Sequence, residues 1–168
     1  MQLLTHALAG WCGGNLVDTT ARERLGCISI SLLPDLDGLG LLLGREAYLR
    51  WHHVVGHNVL FGIAASAMLM RLGRSHLRIG ALYLALFHLH LAMDLVGSGP
   101  GWGIAYFWPF SAASFTTSMA WSFRAWQNFA FLVALAICTL WIGFRLKRTP
   151  LEVLAPRLNA ALIRWVSL

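Results

Sequence analysis

Apolar residues gather in five stretches: Leu3 to Val17, Leu25 to Gly44, Val54 to Leu72, Ile79 to Val96 and Phe129 to Phe144. The last is the clearest. Flanked by Trp126 and Trp141 and ended by Arg145, Lys147 and Arg148, it approaches the roughly 20 residues a helix needs to cross the hydrocarbon core. The third and fourth stretches are joined by a connection carrying Arg71, Arg74 and Arg78 and read as a helical hairpin with a basic turn. The first two are interrupted by Gly10, Gly13, Gly14, Pro34, Gly38 and Gly40, so each reads as a full span, a half-inserted helix or a helix packed at the interface. Beyond them, Leu151, Leu154, Leu158, Leu162 and Trp165 recur at helical spacing with Arg157 and Arg164 between them. This pattern predicts an amphipathic helix lying on the membrane surface.

The expected fold is therefore an all-α, polytopic membrane bundle of about four to five hydrophobic helices over residues 1–148, with an amphipathic tail at 149–168. Composition agrees: 58% of the 168 residues are hydrophobic and 12% are charged, against about a quarter charged in a water-soluble domain. Disordered and coiled-coil classes are excluded on the same ground. Residues 1–17 lack the basic region of a secretory leader and are interrupted by His6, so they read as part of the mature bundle.

The net charge of +6 is almost wholly arginine, scattered between apolar runs and never in a block, which favours an anionic bilayer over nucleic acid as partner. If all five stretches cross, ten Lys and Arg fall on one side and only Arg45, Arg50 and Arg124 on the other. The richer side, and with it the C-terminus, is expected in the cytoplasm. Cys12, Cys27 and Cys138 share no paired spacing and read as buried thiols.

Ionisable residues inside such stretches are costly, about 2.5 to 3.5 kcal/mol for an Asp at a helix centre, so their positions carry information. Six of the seven His and three of the seven acids fall in four clusters: His6; Asp35 and Asp37; His52, His53 and His57; and His88, His90 and Asp94. With five crossings, these segments all bring their polar residues toward the outer face, which points to a metal site. His90 and Asp94 are one helical turn apart. Asp35 and Asp37 would point the same way in an extended stretch. His53 and His57 suit a helix, whereas His52 and His57 diverge by about 140° on one and converge only if the chain is irregular. Helical spacing thus prefers His53, while His88 reads as a hydrogen-bonded core residue.

The motifs THALAG from Thr5, LLPDLD from Leu32, HHVVGHN from His52, HLAMD from His90 and WPF from Trp108 occur in an order that resembles the YdjM-like family of inner-membrane-associated proteins classed as metal-dependent hydrolases. The resemblance covers roughly Thr5 to Phe110. It implies a ligand set of His6, Asp35, Asp37, His52, His57, His90 and Asp94, choosing His52 where helical spacing chose His53, and leaves His53 as alternate ligand or proton donor. His53, Val54, Gly56 and Asn58 replace the family's Arg, Gly, Thr and closing Ser, a departure that bears on substrate contacts.

On this reading the protein is a hydrolase of the bacterial inner membrane acting on a phosphoester or lipid-linked substrate. It would use two divalent ions, with Zn²⁺ favoured by the His content and Mn²⁺ or Mg²⁺ as alternatives, and with Asp37, Asp94 and His53 in catalytic roles. Arg45, Arg50 or Arg124 could meet an anionic headgroup, and Trp102, Tyr106, Phe107 and Trp108 form an interfacial belt or a lid. The competing classes are a proton- or metal-translocating transporter and a non-catalytic membrane scaffold. Metal content and product release separate the three.

Overall fold

The computed structural model describes residues 1–166, so the last two positions of the tail, Ser167 and Leu168, lie outside the described residues. Within them the chain is helical, in the order α1 (Leu3–Gly14), α2 (Ala21–Ile30), a 3-10 arm (Pro34–Leu43), α3 (Arg45–Trp51), α4 (Val59–Leu69) with a 3-10 turn (Met70–Leu72), α5 (His76–Gly97), α6 (Trp126–Leu146) and α7 (Pro156–Val166). A long loop joins α5 to α6, pinned by an isolated antiparallel bridge between Ile104 and Phe115.

Among the described residues two helices are long and apolar enough to cross a membrane, α5 with 22 residues and α6 with 21. At 1.5 Å per residue they measure about 33 and 32 Å, close to the roughly 30 Å hydrocarbon core. A third crossing exists only if α2 and the 3-10 arm, bent by 51° at their junction, count as one broken span; the same pair could equally be a re-entrant loop. Helix length therefore does not confirm the expected four to five. The first and third apolar stretches fold as α1 and α4, of 12 and 11 residues, about 18 and 17 Å long. The reason is local: α1 ends in Gly13 and Gly14, and α4 starts only at Val59 because Asn58 caps it, its side chain accepting from the Phe61 N–H at 2.9 Å.

The start of α2 is set by a capping box, with the Glu23 N–H donating to Thr20 Oγ1 and the Thr20 N–H donating to Glu23 Oε2. α1 lies close against α2 because Gly10 faces the Cys27 carbonyl and the Ser31 side chain, leaving no room for a Cβ. α5 runs through the middle, where Tyr83, Leu86, Phe87 and Leu91 pack with Cys27 and Ile30 of α2, Ala65 of α4 and Ile104 of the loop. α6 joins on the α1 side through Trp11, Cys12 and Ile142, while Phe129, Ile137, Leu140 and Trp141 face outward. Buried Asn128 ties the loop to both long helices: it donates to the Gly97 and Phe123 carbonyls and accepts from Trp121 Nε1, each at 2.8 Å. In the expected tail a helix forms over Pro156–Val166 (α7), while Leu151 and Leu154 precede it in a turn that Glu152 ties to Arg24 with N···O distances of 2.6 and 2.9 Å. All three cysteines are free, Cys12 and Cys27 buried and Cys138 partly so.

Candidate metal centre

The arm after α2 is where the backbone decides the site. Pro34 sits at its first position and cannot donate a backbone hydrogen bond, and the segment winds as a 3-10 helix of 3.0 residues per turn, in which residues i and i+3 eclipse. Burial follows that period from Pro34 to Gly40: Pro34, Asp37 and Gly40 are buried, Asp35 and Gly38 intermediate, Leu36 and Leu39 exposed. Asp35 and Asp37 are thus on different faces, about 120° apart, rather than parallel as an extended stretch would place them. They reach opposite edges of one imidazole: Asp35 Oδ1 lies 4.0 Å from His57 Nε2, and Asp37 Oδ2 lies 2.9 Å from His57 Nδ1.

His52, His53 and His57 come from the connection between α3 and α4, which is a series of turns and not the helix that the His53/His57 spacing suggested. His53 adopts φ 66°, a left-handed conformation uncommon for residues other than Gly, though Asn, Asp and His enter it more readily than most. That turn brings all three imidazoles inward, so the chain need not choose between His52 and His53. Gly56 lets the turn close on the arm, since its Cα faces the Pro34 carbonyl and a Cβ there would strike it. The Ala105 N–H donates to the His53 carbonyl at 3.0 Å, and the Val59 N–H to the Tyr106 carbonyl at 2.9 Å, which buttress the turn from the long loop.

At the centre, Asp35, His57, His90 and Asp94 each offer one ligand atom within 4.8 Å of the others. His90 Nε2 and His57 Nε2 are 3.2 Å apart, and each lies near Asp94 Oδ2, at 3.0 and 3.3 Å. Asp35 Oδ1 completes the set at 3.8 Å from His90 Nε2. Ligand atoms of a tetrahedral site with bonds of 2.0–2.1 Å are separated by about 3.3 Å, so these spacings have the scale of a coordination shell.

The tautomers sharpen the point. His90 Nδ1 is 2.8 Å from the Ser31 carbonyl, which can only accept, so Nδ1 carries the proton and a neutral His90 presents a lone pair at Nε2. Asp37 does the same for His57, whose Nδ1–H donates to Oδ2. With both imidazoles neutral, two lone pairs and two carboxylates face one point. Against the cost of burial, Asp37 and Asp94 on its two edges raise the affinity of His57 for a second proton, so the array calls for positive charge at this point, and its donor set fits a divalent metal ion.

Around this core the remaining candidates form a support. Asp37 accepts from His57 and from the Gly56 N–H on Oδ2 and from His52 Nδ1 on Oδ1, at 2.9, 3.1 and 2.7 Å. With His52 and His57, Asp37 also makes up a second group able to hold an ion. His6, fully buried, approaches the far oxygen of Asp94, Nε2 to Oδ1 at 3.1 Å, where Ser98 Oγ also donates at 3.0 Å and the Met1 amino group makes contact. His53 is 2% exposed, its Nε2 is 3.8 Å from Asp94 Oδ2, and its Nδ1 has no hydrogen-bond partner. Burial, reinforced by the neighbouring His57, holds the His53 imidazole far below its usual range, at about 2.

A cavity of about 250 Å³ opens over the centre, lined by Asp35, His52, His53, Asp94, Tyr48 and Trp102, among others. Tyr48 stacks on His52 with ring centroids 4.7 Å apart, and Trp102 meets His52 and His53 edge-on at 6.1 and 5.9 Å. Of the four aromatics expected in a belt or lid, Trp102 lies over the centre, while Tyr106 is 2.8 Å from His88 Nε2 through its hydroxyl. His88, held also to the Leu84 carbonyl at 2.8 Å, is the hydrogen-bonded core residue that its lone position suggested.

The seven residues of the expected ligand set and His53 lie in one network, but His6 and His53 belong to neither group able to hold an ion. Sequence reasoning missed Ser98, which its i+4 spacing from Asp94 could have flagged, and Tyr48. It also missed the Ser31 carbonyl, for which no side-chain signal exists. A family model described as YdjM inner membrane protein matches residues 1–167. No curated protein and no solved structure matches the chain.

Proposed function

The chain belongs to the YdjM family of inner membrane proteins, and from that premise we propose that it is a membrane-embedded metal-dependent hydrolase of a phosphoester or lipid-linked substrate. The observation that carries the metal is the convergence of His57 Nε2, His90 Nε2, Asp94 Oδ2 and Asp35 Oδ1 with both distal imidazole nitrogens already committed to acceptors. The hydrolase class rests on the cavity over that centre, which leaves one face open, as catalytic and not closed structural sites require.

Asp35, His57, His90 and Asp94 would hold one divalent ion, with Zn²⁺ favoured by two imidazoles and Mn²⁺ or Mg²⁺ by two carboxylates. When bound, the ion supplies Lewis acidity that makes water a nucleophile near neutral pH. Asp37 keeps His57 in the ligating tautomer and holds His52 at the cavity wall. His6 and Ser98 fix the unused oxygen of Asp94, so that Oδ2 stays aimed at the centre. Neutral His53 lines the cavity and is placed to orient the entering substrate or water.

A second ion in the Asp37, His52 and His57 group would need His57 Nδ1, which already donates to Asp37. That atom cannot serve both, so the one-ion assignment replaces the two-ion expectation in this proposal. Elemental analysis of detergent-purified protein should find one divalent metal per chain, lost in Asp35→Ala and His90→Ala. The loaded wild type should release product from a phospholipid and phosphoester panel. A folded, metal-free wild type, or a loaded protein that hydrolyses nothing and instead carries metal across a vesicle membrane, would sink the reading.

A further inference from the structure

Of the imidazoles around the centre, His52 is the one that the metal does not absorb. His57 and His90 spend Nδ1 on Asp37 and on the Ser31 carbonyl and turn Nε2 to the centre. His6 approaches Asp94 through Nε2, and its Nδ1 is buried. His53 is buried, with Nδ1 unpaired and Nε2 3.8 Å from Asp94. His88 gives one nitrogen to the Leu84 carbonyl and the other to the Tyr106 hydroxyl. His52 differs from all of them. Its Nδ1 lies 2.7 Å from Asp37 Oδ1, a carboxylate oxygen that only accepts, so Nδ1 carries the proton and the lone pair is on Nε2. Among the described residues Nε2 has no hydrogen-bond partner and, unlike Nδ1 of His6 and His53, it is not sealed from solvent; the side chain keeps 14% of its surface open.

We propose that Asp37 and His52 form a proton-transfer dyad, with His52 Nε2 as the general base and then the general acid of hydrolysis at the metal centre. Three observations select this role. First, His52 lines the same cavity as Asp35 and Asp94, two members of the group able to hold the ion, so a substrate entering that cavity meets both. Second, the ring is held before any substrate arrives: Tyr48 stacks on its face at 4.7 Å and 27°, Trp102 meets it edge-on at 6.1 Å, and Asp37 fixes it in its own plane. Third, the competing use of His52, as ligand of a second ion with Asp37 and His57, needs His57 Nδ1, which already donates to Asp37. The motif order had implied His52 as a ligand, and the dyad replaces that role.

The step balances on one proton. As a water oxygen bonds to phosphorus, its proton passes to His52 Nε2; as the bond from phosphorus to the leaving oxygen breaks, the same proton passes to that oxygen. The imidazole ends the turnover neutral, while Asp37 stays ionised beside it and stabilises the transient imidazolium.

This inference rests on the hydrolase reading for the reaction and on the cavity geometry for the residue. Metal-loaded, detergent-purified protein is treated with diethyl pyrocarbonate, which acylates an accessible neutral imidazole nitrogen, and the sites are mapped by mass spectrometry. His52 should react, with exposed His76 as positive control, while buried His6, His53, His57 and His90 stay unmodified. His52→Gln should keep the wild-type metal content and lower kcat on para-nitrophenyl phosphate or phosphatidylglycerol by about 10²- to 10⁴-fold, with KM little changed. In His52→Ala, imidazole added to the buffer should restore part of the rate, which a purely structural loss does not allow. Circular dichroism confirms helicity in both variants.

A reagent that modifies His76 and spares His52, a His52→Gln protein that loses its metal, or one that turns over at the wild-type rate overturns the proposal. Failure of the hydrolase reading looks different: His52 reacts and His52→Gln keeps its metal, yet the loaded wild type turns over neither ester. That outcome removes the hydrolytic step and leaves the oriented, accessible nitrogen standing.

Discussion

Asp37→Asn separates a supporting carboxylate from a ligand. In the folded protein Asp37 accepts three hydrogen bonds, from His52 Nδ1, His57 Nδ1 and the Gly56 N–H. An Asn keeps the shape but has one acceptor oxygen and a donor amide, so at least one of the three N–H groups loses its partner. If His57 moves its proton to Nε2 to suit the amide, its lone pair leaves the centre. Loss of such an outer partner lowers metal affinity about 10- to 100-fold, or about 1.4 to 2.7 kcal/mol. Removing a direct ligand, as in Asp94→Ala, should instead abolish stoichiometric binding. The assay is a competition titration with a coloured Zn²⁺ chelator on detergent-purified protein, with circular dichroism confirming helicity. Wild-type affinity in Asp37→Asn would refute the supporting role. A fall from two bound ions to one would refute the single-ion assignment and make Asp37 a ligand of the second.

Three further outcomes follow from the same geometry. Gly56→Ala places a Cβ on the Pro34 carbonyl and should push the turn off the arm, costing about 1 to 3 kcal/mol and weakening metal binding; an unchanged melting temperature and affinity would contradict the close approach. His88→Leu removes the partner of the Tyr106 hydroxyl and should lower stability by about 1 to 2 kcal/mol while metal content stays at the wild-type level, so loss of metal would show that His88 belongs to the centre after all. Chelation of the wild type should lower the thermal midpoint, because the ion binds only the folded state; free metal at 100 times its dissociation constant stabilises by about 2.7 kcal/mol. A midpoint indifferent to chelator would mean that the facing lone pairs need no cation.

Much about this protein was already legible along the chain. Apolar runs with few charges specify a membrane-embedded helical protein because the bilayer tolerates little else, and the same cost makes each surviving His and Asp conspicuous. That is why His6, Asp35, Asp37, His57, His90 and Asp94 could be singled out from position, with His52 preferred to His53 only through the family resemblance, and why His90 and Asp94, on one turn of α5, could be paired from spacing.

What spacing could not supply was the backbone between regular helices. Whether Asp35 and Asp37 act together or face apart depends on a 3-10 twist of about 120° per residue, set by packing of Pro34, Asp37 and Gly40 against the rest of the fold. Whether His52 or His53 points inward dissolved as a question once a left-handed residue turned the chain and admitted both. The number of crossings likewise belongs to the tertiary structure: hydropathy sums over residues wherever they lie, whereas spanning requires a continuous helix, and Asn58 and Pro34 break two of the five stretches before they reach that length. Residue types and their cost in lipid are local properties, written in the sequence one position at a time. The direction of a side chain in a turn is set by the contacts of everything packed around it, and only the folded chain decides that.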